Sequence, residues 1–158
     1  MAIHMHLKLD SIVGGSKKQA DQIDVLSWTW GLTQSGSSHM GSGAGTAGVT
    51  VGDVSIVKYL DKATPTLIKY CCQGTFFKEA QLSVYKADGG SGMPYLILTM
   101  KKGLVSGVNS GGVGPGEMLI ETISLNFAAF TIEYFPQQDD STGPKVPAGW
   151  DIVANKSI

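Results

Sequence analysis

The sequence contains no arginine, so all twelve of its basic residues are lysines. Charged side chains make up only 16% of the 158 residues, and the formal net charge is −1. Proteins that bind nucleic acids rely on arginine forks and on clustered positive charge, so nucleic acid is not an expected partner. A surface this poor in charge favours association, and we expect much of it to be covered by other copies of the chain.

Long apolar runs are also missing. No stretch approaches the roughly 18 consecutive apolar residues that would span a bilayer, so no membrane insertion is expected. The first ten residues alternate between apolar and polar side chains. They therefore lack the continuous apolar segment of about 7–15 residues that a signal peptide requires. We expect a cytoplasmic protein, and any export has to bypass the signal-peptide route.

The chain has only two cysteines, Cys71 and Cys72, and they are adjacent. A disulfide between neighbours is strained, and two cysteines cannot build a disulfide framework. We therefore interpret both as small apolar residues of a helix that packs on the core.

The most informative part of the chain is a predicted strand, residues 23–34, that leads directly into a glycine-rich loop. Bulky apolar side chains alternate with small uncharged ones, and a period of two places the two sets on opposite faces. We predict that the bulky face seeds the core, because two tryptophans bury roughly 150–250 Å² each. The bulky set is Leu26, Trp28, Trp30 and Leu32, and the small set includes Ser27, Thr29 and Gly31.

The loop that follows, residues 35–48, consists mainly of glycine, serine and alanine. Such a composition cannot form a core of its own, so we predict a projecting arm that is mobile until a partner orders it. Its GAGTAG tract, residues 43–48, fits G-x-G-x-x-G, but a dinucleotide site needs a strand directly before the motif and a helix directly after it. Strand-forming residues follow instead, so no cofactor is expected.

One helix is predicted, at residues 64–73. Thr64 is expected to supply a capping hydroxyl, Pro65 fits the first helical position, and Gly74 ends the helix. Its apolar stripe should lie against a sheet. The stripe comprises Leu67, Ile68, Cys71 and Cys72.

The remaining chain has the pattern of an all-β protein with glycine-rich turns. One apolar run changes phase near residues 129–130, which is typical of the bulges and bends that close a barrel. We predict a single domain, residues 1–158, built as an antiparallel β-barrel or curled β-sandwich with one short α-helix packed beside it. Besides 23–34, strands are predicted near residues 3–10, 54–60, 81–86, 95–108, 119–134 and 150–152.

His4 and His6 lie two residues apart on one face of the first predicted strand, a spacing that can present two imidazoles to a metal. A metal site requires three or four ligands, and the third histidine, His39, lies in the glycine-rich loop. We interpret the pair as surface or interface histidines. No serine, cysteine or lysine has a recognisable base beside it, so an enzyme is not expected. The alternatives are a metal-dependent enzyme built around this pair and a free-standing binding module.

The predicted strand and loop, QIDVLSWTWGLTQSGSSHMGSG at residues 22–43, resemble the Hcp family, the tube protein of bacterial type VI secretion systems. The resemblance covers nearly the whole chain and implies the same barrel fold. It continues through DVSIVKYLDKATPTLIKYCCQG at residues 53–74, ISLNFAAFTIEYFPQ at residues 123–137 and GWDI at residues 149–152.

The resemblance implies a homohexameric ring that stacks on other rings into a hollow tube. It implies the type VI spike protein, contractile sheath and effector proteins as partners, and export without a signal peptide. In this family the small polar residue between the two tryptophans faces the lumen, which places Thr29, flanked by Ser27 and Gly31, at the effector-binding surface. The glycine-rich loop is expected to contact a neighbouring subunit or ring. The residues assigned to that contact are Ser35, Ser38, His39, Met40, Gly41 and Gly43.

Overall fold

The structure is a computed structural model that describes residues 3–10, 12–35, 48–86, 92–116, 118–138 and 141–158. Within these ranges the chain forms antiparallel strands and one helix, so the predicted all-β class is confirmed. No helix of the described chain has the length and apolar character needed to cross a membrane. The elements are β1 (Ile3–Leu9), β2 (Ile23–Val25), β3 (Ser27–Thr29), β4 (Leu32–Gln34), β5 (Val49–Val51), β6 (Val54–Tyr59), α1 (Thr64–Gln73), β7 (Phe76–Lys86), β8 (Pro94–Gly111), β9 (Ile120–Tyr134), β10 (Gln137–Gln138), β11 (Ser141–Thr142), β12 (Val146–Asp151) and β13 (Lys156–Ser157).

The strand pairings close the main sheet into a barrel. Strand β1 pairs with β7, β7 with β8, β8 with β9, and β9 with β6. Residues 23–29 complete the circuit, because β2 pairs with β1 and β3 pairs with β6. Closure removes the exposed strand edges along this circuit. Strands β12 and β13 extend the sheet outward from β9.

Strand β9 shows how the sequence sets the two faces of the barrel wall. Alternate residues from Glu121 to Ala129 are buried, and the predicted change of phase follows, since Phe130 is buried directly after Ala129. Strand β8 contains a bulge beside β9, where Ser106 has no partner between Val105 and Gly107. Bulges of this kind increase the local twist that lets a sheet curl.

The core fills the inside of the barrel with aliphatic side chains from six strands. Each side chain of this kind stabilises the fold by roughly 1.5–3 kcal/mol when it is fully buried. The side chains with at most 1% exposure include Leu7, Leu9, Ile23, Ile56, Leu82, Leu98, Met100, Ile123 and Leu125.

The prediction that the tryptophan face seeds the core is only partly right. Trp28 and Trp30 are half-buried and pack against the edge of the core, while Leu26 and Leu32 are 39% and 44% exposed. The physical reason is a bend at Leu26 that separates β2 from β3 and shifts the inward phase by one residue. Val25 therefore points inward before the bend, and Trp28 does so after it.

Helix α1 has the bounds that Pro65 and Gly74 predict. Gly74 ends it in the left-handed conformation, with φ of 62°. The predicted Thr64 cap is wrong, because Ala63 occupies the cap position and makes no side-chain cap. Asp61 supplies the local hydrogen bond instead, with its Oδ1 accepting from the backbone N–H of Ala63 at 3.0 Å.

The inward face of α1 is narrower than predicted. Thr64 and Leu67 are buried and Cys71 is half-buried, at spacings of three and four residues. Ile68 and Cys72 are exposed, because each lies about 100° further round the helix than its buried or half-buried neighbour.

An ion pair lies inside the apolar core. Lys58 of β6 is 0% exposed, Glu121 of β9 is 1% exposed, and the ammonium contacts a carboxylate oxygen. The hydroxyls of Thr64 and Ser110 donate to Glu121 at 2.7 and 3.0 Å. Asp61 Oδ1 lies 3.0 Å from the Lys58 ammonium. Burial acts to raise the pKa of Glu121, but these hydrogen bonds and the Lys58 charge outweigh it and hold that pKa below its usual value.

Replacing the buried cation should destabilise the fold strongly. We expect Lys58→Met to lower the free energy of unfolding by about 3–5 kcal/mol, because the Glu121 carboxylate is left buried without its cation. Glu121→Gln should cost less, since Lys58 keeps Asp61 as a partner. Urea unfolding followed by tryptophan fluorescence measures both values. A loss for Lys58→Met no larger than that for Glu121→Gln would contradict this account.

The lowered pKa of Glu121 makes part of the stability acid-sensitive. In the unfolded chain this carboxyl has its ordinary pKa of 4.5, so the unfolded state takes up the proton first as the pH falls. The contribution is fully present above pH 4.5 and is lost as the pH falls through the folded-state pKa. Between about pH 6 and about pH 3, stability should fall more steeply in the wild-type protein than in Glu121→Gln. Parallel curves for the two proteins would overturn the prediction.

Candidate functional site

A small, uncharged surface extends over four adjacent strands of the barrel. In the strand register, Thr29 of β3 lies beside Ser55 of β6, and Ser55 lies beside Ser124 of β9. Ser124 lies in turn beside Gly107 of β8, and a second row two residues along each strand repeats the pattern. Partners across an antiparallel ladder share a face, so the two rows form one surface, which we call the neutral face. The neutral face comprises Ser27, Thr29, Ser55, Val57, Gly107, Asn109, Thr122 and Ser124.

The neutral face is accessible and contains no ionisable group. Ser27, Thr29 and Asn109 are exposed, and the other five residues are half-buried. Five hydroxyls and one amide can donate and accept hydrogen bonds. This surface can therefore contact the polar surface of a protein without depending on charge.

The charges of β6 and of the part of β9 that pairs with it lie on the opposite side of the barrel wall. Lys58 follows Val57 in β6, and Glu121 precedes Thr122 in β9. Because side chains alternate along a strand, these two charges point inward and form the buried ion pair. The neutral face thus depends on Lys58 and Glu121 being turned into the core.

The third predicted lumenal residue, Gly31, lies beyond the end of β3 and is exposed. Among the described residues, strands β4 and β5 pair only with each other there, and they form a two-stranded sheet separate from the barrel, which we call the ribbon. Gly31 and Gly52 join the ribbon to the barrel, and the Gly52 N–H donates to the Gly31 carbonyl at 2.9 Å. The structure therefore places Ser27 and Thr29 together on the neutral face and Gly31 at the joint of the ribbon.

The residues predicted to form the subunit contact belong to the loop between β4 and β5. Ser35 follows the ribbon directly and is exposed. The other five lie outside the described residues: Ser38, His39, Met40, Gly41 and Gly43.

The two paired histidines have different environments. His6 is 3% exposed, so the interpretation of the pair as surface or interface histidines is wrong for His6. Its Nδ1 lies 3.0 Å from Asp24 Oδ1, and its ring packs against Tyr85 with centroids 5.8 Å apart. Burial lowers the pKa of His6 below 6.5 even though Asp24 acts to raise it. His4 instead lies 2.9 Å from the Lys18 ammonium, and the described residues contain no group of three or more potential metal ligands.

Sequence reasoning found only the β3 part of the neutral face. Thr122 and Ser124 alternate with Ile123 and Leu125, so the period-two pattern of β9 already indicates a small polar face there. The pattern does not reveal that this face continues that of β3, because β6 lies between them and the contact spans about a hundred residues of sequence.

Comparisons with known proteins give relatives over almost the whole chain. A family model described as "Type VI secretion system effector, Hcp" matches residues 6–134. Protein hcp1 of Pseudomonas aeruginosa is 44% identical over 159 aligned residues, which cover 98% of each chain.

Solved structures extend the similarity to three dimensions. The crystal structure of Hcp1 from Salmonella typhimurium superposes with a TM-score of 0.83 at 36% identity and covers 100% of both chains. A structure described as that of a type six secretion system protein has a TM-score of 0.89 at 26% identity, over 99% of this chain and 100% of the other. The chain therefore belongs to the Hcp family of type VI secretion system proteins.

Proposed function

We propose that this protein is the tube subunit of a type VI secretion system. Six copies form a ring, rings stack into a hollow tube, and the neutral face lines the lumen and holds effector proteins. The sheath drives the tube out of the cell beneath its spike, so the secretion system itself exports the protein. The role is structural rather than enzymatic.

The neutral face is the main observation that supports this proposal. A tube that transports different effectors needs an inner wall that makes many weak contacts and repels none of them by charge. Eight adjacent residues without an ionisable group match that need. Thr29 is exposed and lies in the row nearest the joint of the ribbon, and its half-buried neighbours Ser55 and Ser124 extend the proposed effector surface beyond β3.

The ribbon supports the stacking part of the proposal. Each of its strands has only three residues, and a two-stranded hairpin is marginally stable by itself in water. Leu32, Thr33 and Gln34 are all exposed. Contact with a second copy of the chain would cover these residues, and Ser35, which follows the ribbon directly, lies next to that contact.

A bulky residue at Thr29 should weaken effector retention and spare the ring. Thr29→Gln changes an exposed residue, so stability should stay within about 0.5 kcal/mol of wild type. We expect the apparent Kd for an effector of the same secretion system to rise about tenfold, because the longer side chain occupies the space of the cargo. Co-purification followed by titration calorimetry measures retention.

The matched control for this experiment is Thr66→Gln, which makes the same change in helix α1, outside both the neutral face and the ribbon. Retention that drops equally in both variants would point to a general effect of glutamine. Retention that is unchanged in Thr29→Gln would refute a lumenal role for the neutral face.

Shortening the loop should separate ring formation from stacking. Light scattering of the wild-type protein should give the mass of six subunits, and negative-stain images should show annular particles. Replacing residues 36–47 by a short glycine turn should leave the fold and the rings intact and abolish stacked tubes. A stable wild-type monomer would contradict the tube proposal as a whole, whereas stacks formed by the shortened protein would exclude the loop as the stacking element.

A further inference from the structure

We propose that Asp53 and Trp30 are positioning residues that fix the direction in which the ribbon projects, so that a second copy of this chain meets it preorganised. This inference rests on the proposed function, in which the ribbon contacts a neighbouring copy. It concerns the joint between the ribbon and the barrel rather than the loop beyond the ribbon.

The ribbon needs an external constraint to keep one direction. Its two strands share three paired positions and pair with no other strand of the described chain. Both strands enter the barrel through glycines, Gly31 and Gly52. A Cβ at Gly52 would lie 3.0 Å from the Gly31 carbonyl oxygen, so the close approach of the two chains favours glycine there. Val51 of β5 packs against the core. Because the joint itself consists of glycines, further contacts are needed to hold the ribbon in one direction.

Trp30 supplies the first constraint. Its Nε1–H donates to the Gly52 carbonyl at 3.0 Å, and so its ring bridges the two chains at the joint. The ring packs edge-on against Phe130, with centroids 4.8 Å apart, and lies 6.2 Å from Phe127. Both phenylalanines are buried in the wall of the barrel. The joint is thus anchored to the core by an aromatic cluster.

Asp53 supplies the second constraint from the other chain of the joint. It follows Gly52 directly, and both of its carboxylate oxygens are engaged: Ser106 donates to Oδ2 at 2.6 Å and Asn126 donates to Oδ1 at 2.8 Å. Ser106 is the bulged residue of β8, and Asn126 lies in β9. Hydrogen bonds to a carboxylate are stronger than those between neutral groups. Asp53 therefore ties the chain that leaves the ribbon to two strands of the barrel.

Two anchors on the two chains of one joint restrict the ribbon to a narrow range of directions. Ordering a flexible element during association costs free energy, and an element that is already ordered avoids that cost. The bulge at Ser106 gains a role in this arrangement, since it brings a hydroxyl to the joint at a point where β8 has no ladder partner. Loss of the Asp53 anchor should consequently weaken stacking much more than folding.

The decisive comparison uses three variants of the full chain. Asp53→Ala removes both hydrogen bonds, whereas Asp53→Asn keeps an acceptor for Asn126 and can donate to Ser106. Asp10→Ala is the matched control, because it removes an exposed carboxylate that accepts from the Lys78 backbone N–H at 2.6 Å on the β1–β7 side of the barrel. Stacked rings are counted in negative-stain images at matched protein concentration, and rings are quantified by light scattering.

We expect Asp53→Ala to form rings but to require about tenfold more protein for stacking, and we expect Asp53→Asn and Asp10→Ala to stack like wild type. Trp30→Phe, which keeps an aromatic ring and loses the donor to Gly52, should show an intermediate effect. Wild-type stacking by Asp53→Ala, or an equal loss in Asp10→Ala, would overturn the inference.

A second measurement does not depend on stacking. Amide hydrogen exchange in the unstacked protein should be faster for residues 32–34 and 49–51 in Asp53→Ala than in wild type, with no change in β7. Unchanged ribbon exchange would overturn the inference even where stacking falls. Wild-type rings that never stack would refute the proposed stacking function, and the exchange result would still decide the role of Asp53.

Discussion

The structure depends on one short segment, residues 23–29, that pairs with a different strand at each end. Its first half pairs with β1 and its second half with β6, and only this double pairing closes the barrel. The chain bends at Leu26 to serve both neighbours, which turns Trp28 inward and leaves Ser27 and Thr29 outside. Closure of the barrel, the edge of the neutral face and the approach to the ribbon are therefore consequences of the same seven residues.

Where β6 and β9 pair, the charged side chains face the core and the uncharged ones face outward. Strands β6 and β9 each carry one charged residue in the paired stretch, and both side chains point into the core. Burying two charges costs several kcal/mol per ion, and here the ion pair and the hydroxyls of Thr64 and Ser110 offset that cost. The result is an outer surface of small uncharged residues directly above a buried salt bridge. In the proposed tube, such a wall would let proteins of different charge pass through the lumen.

Much of the fold was predictable because its signals are local. Alternation identified the principal strands, Pro65 and Gly74 bounded the helix, and the phase change near Phe130 indicated a bent barrel wall. The predictions that were wrong for Thr64 and His6 also share a cause, which is a contact with a residue from another part of the chain. The Thr64 hydroxyl, expected to cap the helix, is bonded to Glu121, which lies 57 residues away in sequence, and no helix rule contains that partner. His6 lies on the polar phase of β1, yet it is buried because Asp24 and Tyr85 from two other strands cover it.

The sequence by itself determined the class of the fold, the family and the character of each strand face, because these follow from side-chain periodicity and from residues that are adjacent in the chain. Only the tertiary structure decided which faces join into one surface, that Lys58 and Glu121 meet inside the core, and that Asp53 reaches Ser106 and Asn126. Those features depend on strand order and register. The contacts of Lys58 with Glu121 and of Asp53 with Ser106 and Asn126 join residues that lie 63, 53 and 73 positions apart in sequence. The alternation of side chains specifies which residues lie on each face of a strand. Only the packing of the whole chain specifies which residues of other strands contact that face.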